Sequence, residues 1–294
     1  MNRWLIIVLF LLFNSYNYAQ TRFISSITFS GLTKTKESYL IKLLETKENQ
    51  PFDSIQLAKD IELLKNMNLF FDVYSETTIS NEKVDVSIYV KEAFYIYPIL
   101  SLSGFKDQLK LTAGVNFINF LGRAQNFGII YQYYGRHSFM VFHSQKRHSN
   151  RFTGHEFSIS RNATIEPLYE SDTVSFFNFD NNSISLGGHA WLVDKIKFGL
   201  GGQFMQEKYE QLDQGFFIPT SIIYFQKYQL RSSLEYNTTQ NTYEYIEGTK
   251  ALLYVESIFT KGYPENSFTK FIAQINQYAI LGERGNIAGK LSLG

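Results

Sequence analysis

Five histidines are the side chains best suited to hold a metal or pass a proton: His137, His143, His148, His155 and His189. The first four crowd together, but no two stand four residues apart, the spacing that puts two ligands on one helix face. A polar loop or the water-facing side of a sheet accounts for them, so no metal is expected. The chain has no cysteine, which excludes disulfides, thiolate metal sites and a thiol nucleophile. There is no Ser-centred nucleophile elbow and no phosphate-binding loop. Gly199, Gly201 and Gly202 sit in a strand pattern, where they relieve crowding instead of cradling a phosphate. The carboxylates are scattered. The residues therefore predict no enzyme, no catalytic residue and no cofactor.

Composition points elsewhere. The 294 residues include 27 Phe and 20 Tyr but only 19% charged side chains, and the net charge is +1. That balance gives no support to a nucleic-acid partner. The apolar residues are mixed singly with Ser, Asn, Gln and Gly, as in a sheet with one face in lipid and the other in water. At the N-terminus Arg3 precedes ten unbroken apolar residues at 4–13, then a polar stretch and Ala19. A spanning helix needs about 20 apolar residues. Residues 1–19 therefore read as a signal peptide, with an uncleaved anchor as the competing reading.

Residues 22–92 read as a small α+β unit of order β-α-α-β-β. Ile24, Ile27 and Phe29 anchor a strand closed by Gly31, and Thr33 or Thr35 is placed to cap a helix carrying Leu40, Ile41 and Leu44. Asp53 and Gln56 have capping-box spacing ahead of Leu57, Ile61 and Leu64. A half-polar extended run over 73–79 follows. In the next run Val84, Val86, Ile88 and Val90 alternate with Asp85, Ser87 and Tyr89.

From Phe94 onward the helical period disappears and period-two alternation takes over. Ile184, Leu186, Gly188, Ala190 and Leu192 alternate with polar or small residues, and so do Phe198, Leu200 and Phe204, and Leu230, Leu234 and Tyr236. Such runs fit tilted strands of a transmembrane β-barrel. Ten to twelve are expected, near 94–103, 109–119, 125–135, 137–146, 152–161, 182–192, 195–206, 217–227, 229–238, 249–260, 267–279 and 286–294. A tight turn is expected at Val193 and Asp194, and a long polar loop over 162–181. Tyrosines such as Tyr97, Tyr131, Tyr133 and Tyr243 suit an interfacial belt. A soluble β-sandwich is the alternative, one that leaves the lysines within the strands unexplained.

The run ISSITFSGLTKTKESYLIKLL, then PFDSIQLAKDIELLKNMNLFFDV and KVDVSIYVKE, resembles a polypeptide-transport-associated (POTRA) domain. The positions carrying it include Gly31, Phe70 and Val73. GVNFINFLGRAQNFGIIYQYYG resembles the early hairpin of BamA/TamA-type barrels through Asn119, Leu121, Gly122 and Arg123, with Ala124 where that pattern has Gly. Asn237, Thr238, Asn241 and Gly248 are similar to its mid-barrel hairpin. The resemblance implies an outer-membrane protein: a periplasmic POTRA domain at 22–92 and an antiparallel barrel at 94–294. It implies assembly, insertion or translocation of polypeptides at the outer membrane, with unfolded outer-membrane or secreted polypeptides as clients. Outer-membrane lipid and periplasmic accessory proteins would be the other partners. It further implies that clients add a strand to the edge formed by Val73, Tyr74, Ser75, Glu76, Thr77, Thr78 and Ile79. For Phe70 and Val73 a core role is the simpler expectation. The alternative function is a porin-like or surface-antigen barrel with the POTRA domain as a structural plug and no insertase activity. The family's Arg-Gly-aromatic lumen tip is not matched by Arg284-Gly285-Asn286, and 200-odd residues fall short of a sixteen-stranded barrel, so an incomplete barrel is expected, with a complete twelve-stranded barrel as the alternative.

Overall fold

The computed structural model describes residues 22–104, 109–148, 152–170, 173–212, 222–241, 245–261, 266–282 and 285–294. The expected signal peptide lies outside them. The N-terminal unit is built from β1 (Phe23–Ser30), α1 (Glu37–Leu43), α2 (Ser54–Lys65), β2 (Phe70–Ser80) and β3 (Lys83–Glu92). This is the expected β-α-α-β-β order. β3 is central, parallel to β1 and antiparallel to β2. Its alternating Val84, Val86 and Ile88 are fully buried beneath Leu40, Leu43, Leu44 and Leu64 of the helical layer. Two helices on one face of three strands give a sufficient core for so short a unit.

The helix starts differ from expectation in one case. Asp53 caps α2 by accepting from the amides of Ile55 and Gln56. Neither threonine caps α1, whose N-cap is Lys36 without a side-chain bond. Ile41 is only half-buried, and Tyr39 and Leu43 take the core face instead. The threonines are committed elsewhere. Glu92, closing β3, accepts from Thr33 Oγ1 at 2.5 Å, from the Lys34 amide at 2.9 Å and from the Thr35 amide at 2.7 Å.

Burial pushes the Glu92 carboxyl up, but the bonds from Thr33, Thr35 and Lys34 outweigh it and hold it down to about 2, against an ordinary 4.5. A group with a depressed folded value stabilises the fold above its unfolded value and loses that contribution as pH falls toward the folded one. Acidification from about 4.5 to about 2 should therefore loosen the loop between β1 and α1. In Glu92→Gln the Thr35 amide should exchange faster at neutral pH and lose this acid transition. Hydrogen exchange followed against pH checks both.

After residue 93 an antiparallel sheet takes over. Its strands are β4 (Ile96–Ser103), β5 (Lys110–Phe120), β6 (Gln125–Tyr134), β7 (Arg136–Gln145), β8 (Thr153–Glu170), β9 (Thr173–Val193), β10 (Ile196–Gln211), β11 (Ile222–Asn237), β13 (Ile246–Lys261), β14 (Ser267–Leu281) and β15 (Gly285–Leu293). They lie side by side in chain order, and the two-residue β12 (Gln240–Asn241) attaches to β13. β4 and β15 each pair on one side only among the described residues.

Two expectations change. Residues 162–181 are not a long polar loop. β8 and β9 pair without a break up to Glu170 and Thr173, and their polar residues lie beyond the apolar band described below. Nor is there a break near Tyr228. β11 runs straight through it, consistent with the absence of Gly, Pro or Asn at that point.

Candidate functional site

The two edges of the N-terminal sheet are unequal. Along β1 the segment before α2 closes the edge: the Ile24 amide donates to Gln50 O, the Asn49 amide to Ile24 O and the Phe52 amide to Arg22 O. Among the described residues nothing pairs with the outer edge of β2, which presents eleven residues. Exposed β-edges are usually blunted by proline, bulges, inward charge or a covering loop; β2 contains no proline, and its one register shift falls at its start, between Phe70 and Asp72, leaving 73–80 regular. Phe70 and Val73 are buried core, whereas Tyr74, Glu76, Thr77, Thr78 and Ile79 are exposed, with Ser75 half-buried. Tyr74 stacks on Tyr89 of β3 at 4.9 Å, which stiffens the middle of the strand pair.

The family-like turn after β5 docks this domain onto the large sheet. Asn119 is buried. Its Nδ2 donates to Thr35 Oγ1 at 2.8 Å, and its Oδ1 accepts from the Ala124 amide at 2.9 Å. Gly122 O accepts from the Lys36 amide at 2.9 Å. Gly122 has φ +69°, and a Cβ there would lie 2.3 Å from Lys34 O, so both conformation and space require glycine. Leu121 and Ala124 also adopt positive φ, Leu121 with its side chain exposed, while Arg123 O accepts from Gln145 Nε2. A second contact comes from Tyr39 OH, which donates to Arg147 O at 2.8 Å. Burial pushes the Tyr39 phenol up, against the opposing effects of Gln145 and Arg147. The sequence placed Thr35 as a helix cap, not as the partner of Asn119, and gave no role to Tyr39 or Gln145; a tyrosine on the apolar face of α1 was the one available hint. Ala124→Gly should stabilise this junction by about 1 kcal/mol, since it removes the left-handed penalty of an L-residue. A higher thermal midpoint would show it.

Further along, Gly31 ends β1 at φ +93° and Gly248 lies at φ +107° against the backbone of Thr238. Asn237 Oδ1 accepts from the Thr239 amide and hydroxyl, which closes that hairpin.

The sheet has two chemically distinct faces. On one, the register aligns Phe198 with Ala190, Leu200 with Gly188, and Leu234 with Leu253. Tyr228, Leu230, Leu234 and Tyr236 of β11 are all exposed on it. Opposite this apolar stretch the other face is charged, while on the first face the pairs Arg161–Asp180 and Lys208–Glu210 lie beyond the stretch. Glu156, Gly187, Gly201, Arg231 and Glu256 fall in one register row across five strands. Arg231 Nη2 reaches Glu156 Oε1 over the two glycines, and donates to Ser185 Oγ at 3.2 Å. A Cβ on Gly201 would stand 2.7 Å from Arg231 Nε, so the small residues make the floor of this ion pair. Lys197 with Glu235 (3.2 Å) and Lys227 with Glu207 (2.6 Å) extend the charged face.

Above the apolar band, β8 separates from β7. Ser138 Oγ accepts from the Ala163 amide and donates to Ala163 O, and Pro167 interrupts the remaining edge. That edge is blunted where the β2 edge is not.

His189 and His148 lie as expected, on the charged face and at a turn, whereas His137, His143 and His155 lie on the apolar face. His189 sits on the charged face and contacts Lys146 O through Nε2 at 2.8 Å. His137 bonds Tyr131 OH at 2.7 Å. His143 and His155 share the face of Phe157, and with His148 they form a hydrogen-bonded row. Among the described residues no set of three or more His, Cys, Asp or Glu is arranged to hold a metal. His155 spends one ring nitrogen on each neighbour, so the three lone pairs do not converge. Arg284 lies outside the described residues, and Gly285 and Asn286 begin β15.

Comparison with known proteins agrees with this geometry. Residues 23–93 match the model of the family described as "Surface antigen variable number repeat" (POTRA). The chain superposes on BamA from Haemophilus ducreyi lacking POTRA domains 1-3 with a TM-score of 0.57 at 16% identity, covering 93% of this chain and 56% of that one. It is similar also to CdiB from Acinetobacter baumannii, with a TM-score of 0.55 at 11% identity, covering 93% and 53%. The chain spans about half the length of these structures. No curated protein matches the sequence.

Proposed function

We propose that this chain, a POTRA domain followed by a BamA-like antiparallel barrel sheet, works at the bacterial outer membrane in assembling or translocating polypeptides. The domain would stand in the periplasm, and unfolded outer-membrane or secreted polypeptides would be its clients. The observation that carries this reading is the unblunted β2 edge beside a domain fixed to the sheet. The edge offers an extended client a row of backbone donors and acceptors. The client would then pass to the outer edge of β4, which in lipid is costly to leave unpaired.

The membrane assignment rests on the apolar face. Tyr228 and Tyr236 stand eight residues apart. At about 3.3 Å per residue and about 40° of tilt they bracket a band about 20 Å tall, with leucines between and the tyrosines at its rims.

Photo-crosslinking tests the client step. A photoreactive residue at Tyr74, Glu76 or Thr78 should capture unfolded barrel polypeptides in cells, whereas one on the covered β1 edge should not. Depletion should lower the levels of other outer-membrane barrels. The rival reading, a passive barrel tethered to a structural POTRA domain, is favoured by the three hydrogen bonds at the junction. It predicts no capture and unchanged levels.

A further inference from the structure

Charge is distributed unevenly along this nearly neutral chain. Residues 108–155 contain six Lys or Arg and four of the five histidines, but no Asp or Glu. Three of those histidines meet at the turn between β7 and β8. His148 Nε2 lies 2.7 Å from His155 Nδ1, His155 Nε2 lies 3.0 Å from His143 Nδ1, and His148 Nδ1 contacts Thr153 Oγ1 at 3.0 Å. The rings stack at centroid spacings of 5.0 Å and are half-buried. In register His143 stands between Phe127 and Phe157, and His155 opposite Gly188, all on the apolar face. They lie at the end of the strands next to the POTRA domain, where Tyr39 reaches Arg147 O.

Three neutral rings carry three protons, enough to fill both nitrogen–nitrogen contacts and one end of the row. A fourth proton keeps both contacts intact and leaves an N–H at each end, so the row becomes a cation that donates outward from His143 Nε2. Among the described residues the surrounding groups do not neutralise it. Lys146 and Arg147 share the turn, Tyr39 faces it from α1, and His189 lies across β9. The neighbouring carboxylate, Glu156, turns to Arg231 on the other face. A cationic donor at the rim of a lipid-facing wall fits one kind of ligand.

We propose that His143, His148 and His155 form a binding site for the phosphate of an anionic phospholipid headgroup in the periplasmic leaflet, occupied more fully as pH falls. This rests on the membrane reading given above.

The test uses the full chain in nanodiscs of phosphatidylcholine, with or without about one-fifth phosphatidylglycerol. Histidine ring resonances are followed as pH is lowered from about 8 to about 5. In phosphatidylglycerol the titration midpoints of the three rings should rise. The share of phosphatidylglycerol retained around the protein should exceed the bulk, and grow severalfold from about pH 7.5 to about pH 5.5. The H143Q/H148Q/H155Q variant should lose that growth. Identical midpoints in the two discs would overturn the site without needing any variant. The same shift produced by inorganic phosphate in phosphatidylcholine discs would also overturn it, as a general anion site. A chain that does not enter nanodiscs at all would instead refute the membrane reading.

Discussion

Asp60→Ala is expected to cost the POTRA domain about 3 kcal/mol, lowering hydrogen-exchange protection of its β3 amides by about two orders of magnitude. Asp60 is wholly buried on α2, and its carboxylate accepts from the Glu45 amide at 3.0 Å and the Thr46 amide at 2.7 Å. Those amides follow α1 where the chain turns toward β1. Alanine would leave both donors without this acceptor, one of them on a buried residue, at about 1–3 kcal/mol each. Relief of the buried charge returns part of that. Asp60→Asn keeps one acceptor oxygen and should lose less. A change in protection smaller than about fivefold for the alanine variant would show that the loop finds other partners.

The second large effect is at the junction. In Gly122→Ala the new methyl meets Lys34 O at 2.3 Å in a left-handed backbone conformation. Conformational penalty and overpacking together come to about 2–4 kcal/mol. The turn should withdraw from α1 and give up the bond from Lys36 to Gly122 and that from Asn119 to Thr35. The N-terminal domain should stay folded, since its core does not include Gly122. Spin labels on the exposed Lys65 and Lys195 should give a narrow distance distribution in the parent chain and a broad one in the variant. Equal widths would mean that the remaining contacts, Tyr39 with Arg147 and the packing of Ile118 and Ala124 on the N-terminal core, hold the domain.

Much of this architecture was legible because side-chain period reports burial. The alternation of Val84, Val86 and Ile88 and the i, i+4, i+7 series of Leu57, Ile61 and Leu64 each located an element, for burial on one face imposes that period. The same logic misread residues 162–181. β8 and β9 continue past the apolar band there, so nothing demands apolar residues on their outer face, and polar composition imitates a loop. Thr33 and Thr35 looked like caps because capping is a local pattern. Their partners, Glu92 and Asn119, are distant in sequence. Ala124 shows the opposite: the family-like pattern places Gly at that position, and its φ of +54° explains why. The row of His143, His148 and His155 was hidden because it depends on which face each strand presents and how a turn folds back.

On the membrane reading proposed above, one face of the large sheet meets lipid and the other water. Nitroxide labels placed singly from Tyr228 to Tyr236 in the membrane-reconstituted chain test it most directly, by collision with oxygen and with a water-soluble nickel chelate. Period-two alternation is expected, with oxygen favoured at Tyr228, Leu230, Ser232, Leu234 and Tyr236 and the chelate favoured at Gln229, Arg231, Ser233 and Glu235. Chelate accessibility at every position, with no alternation, would contradict it.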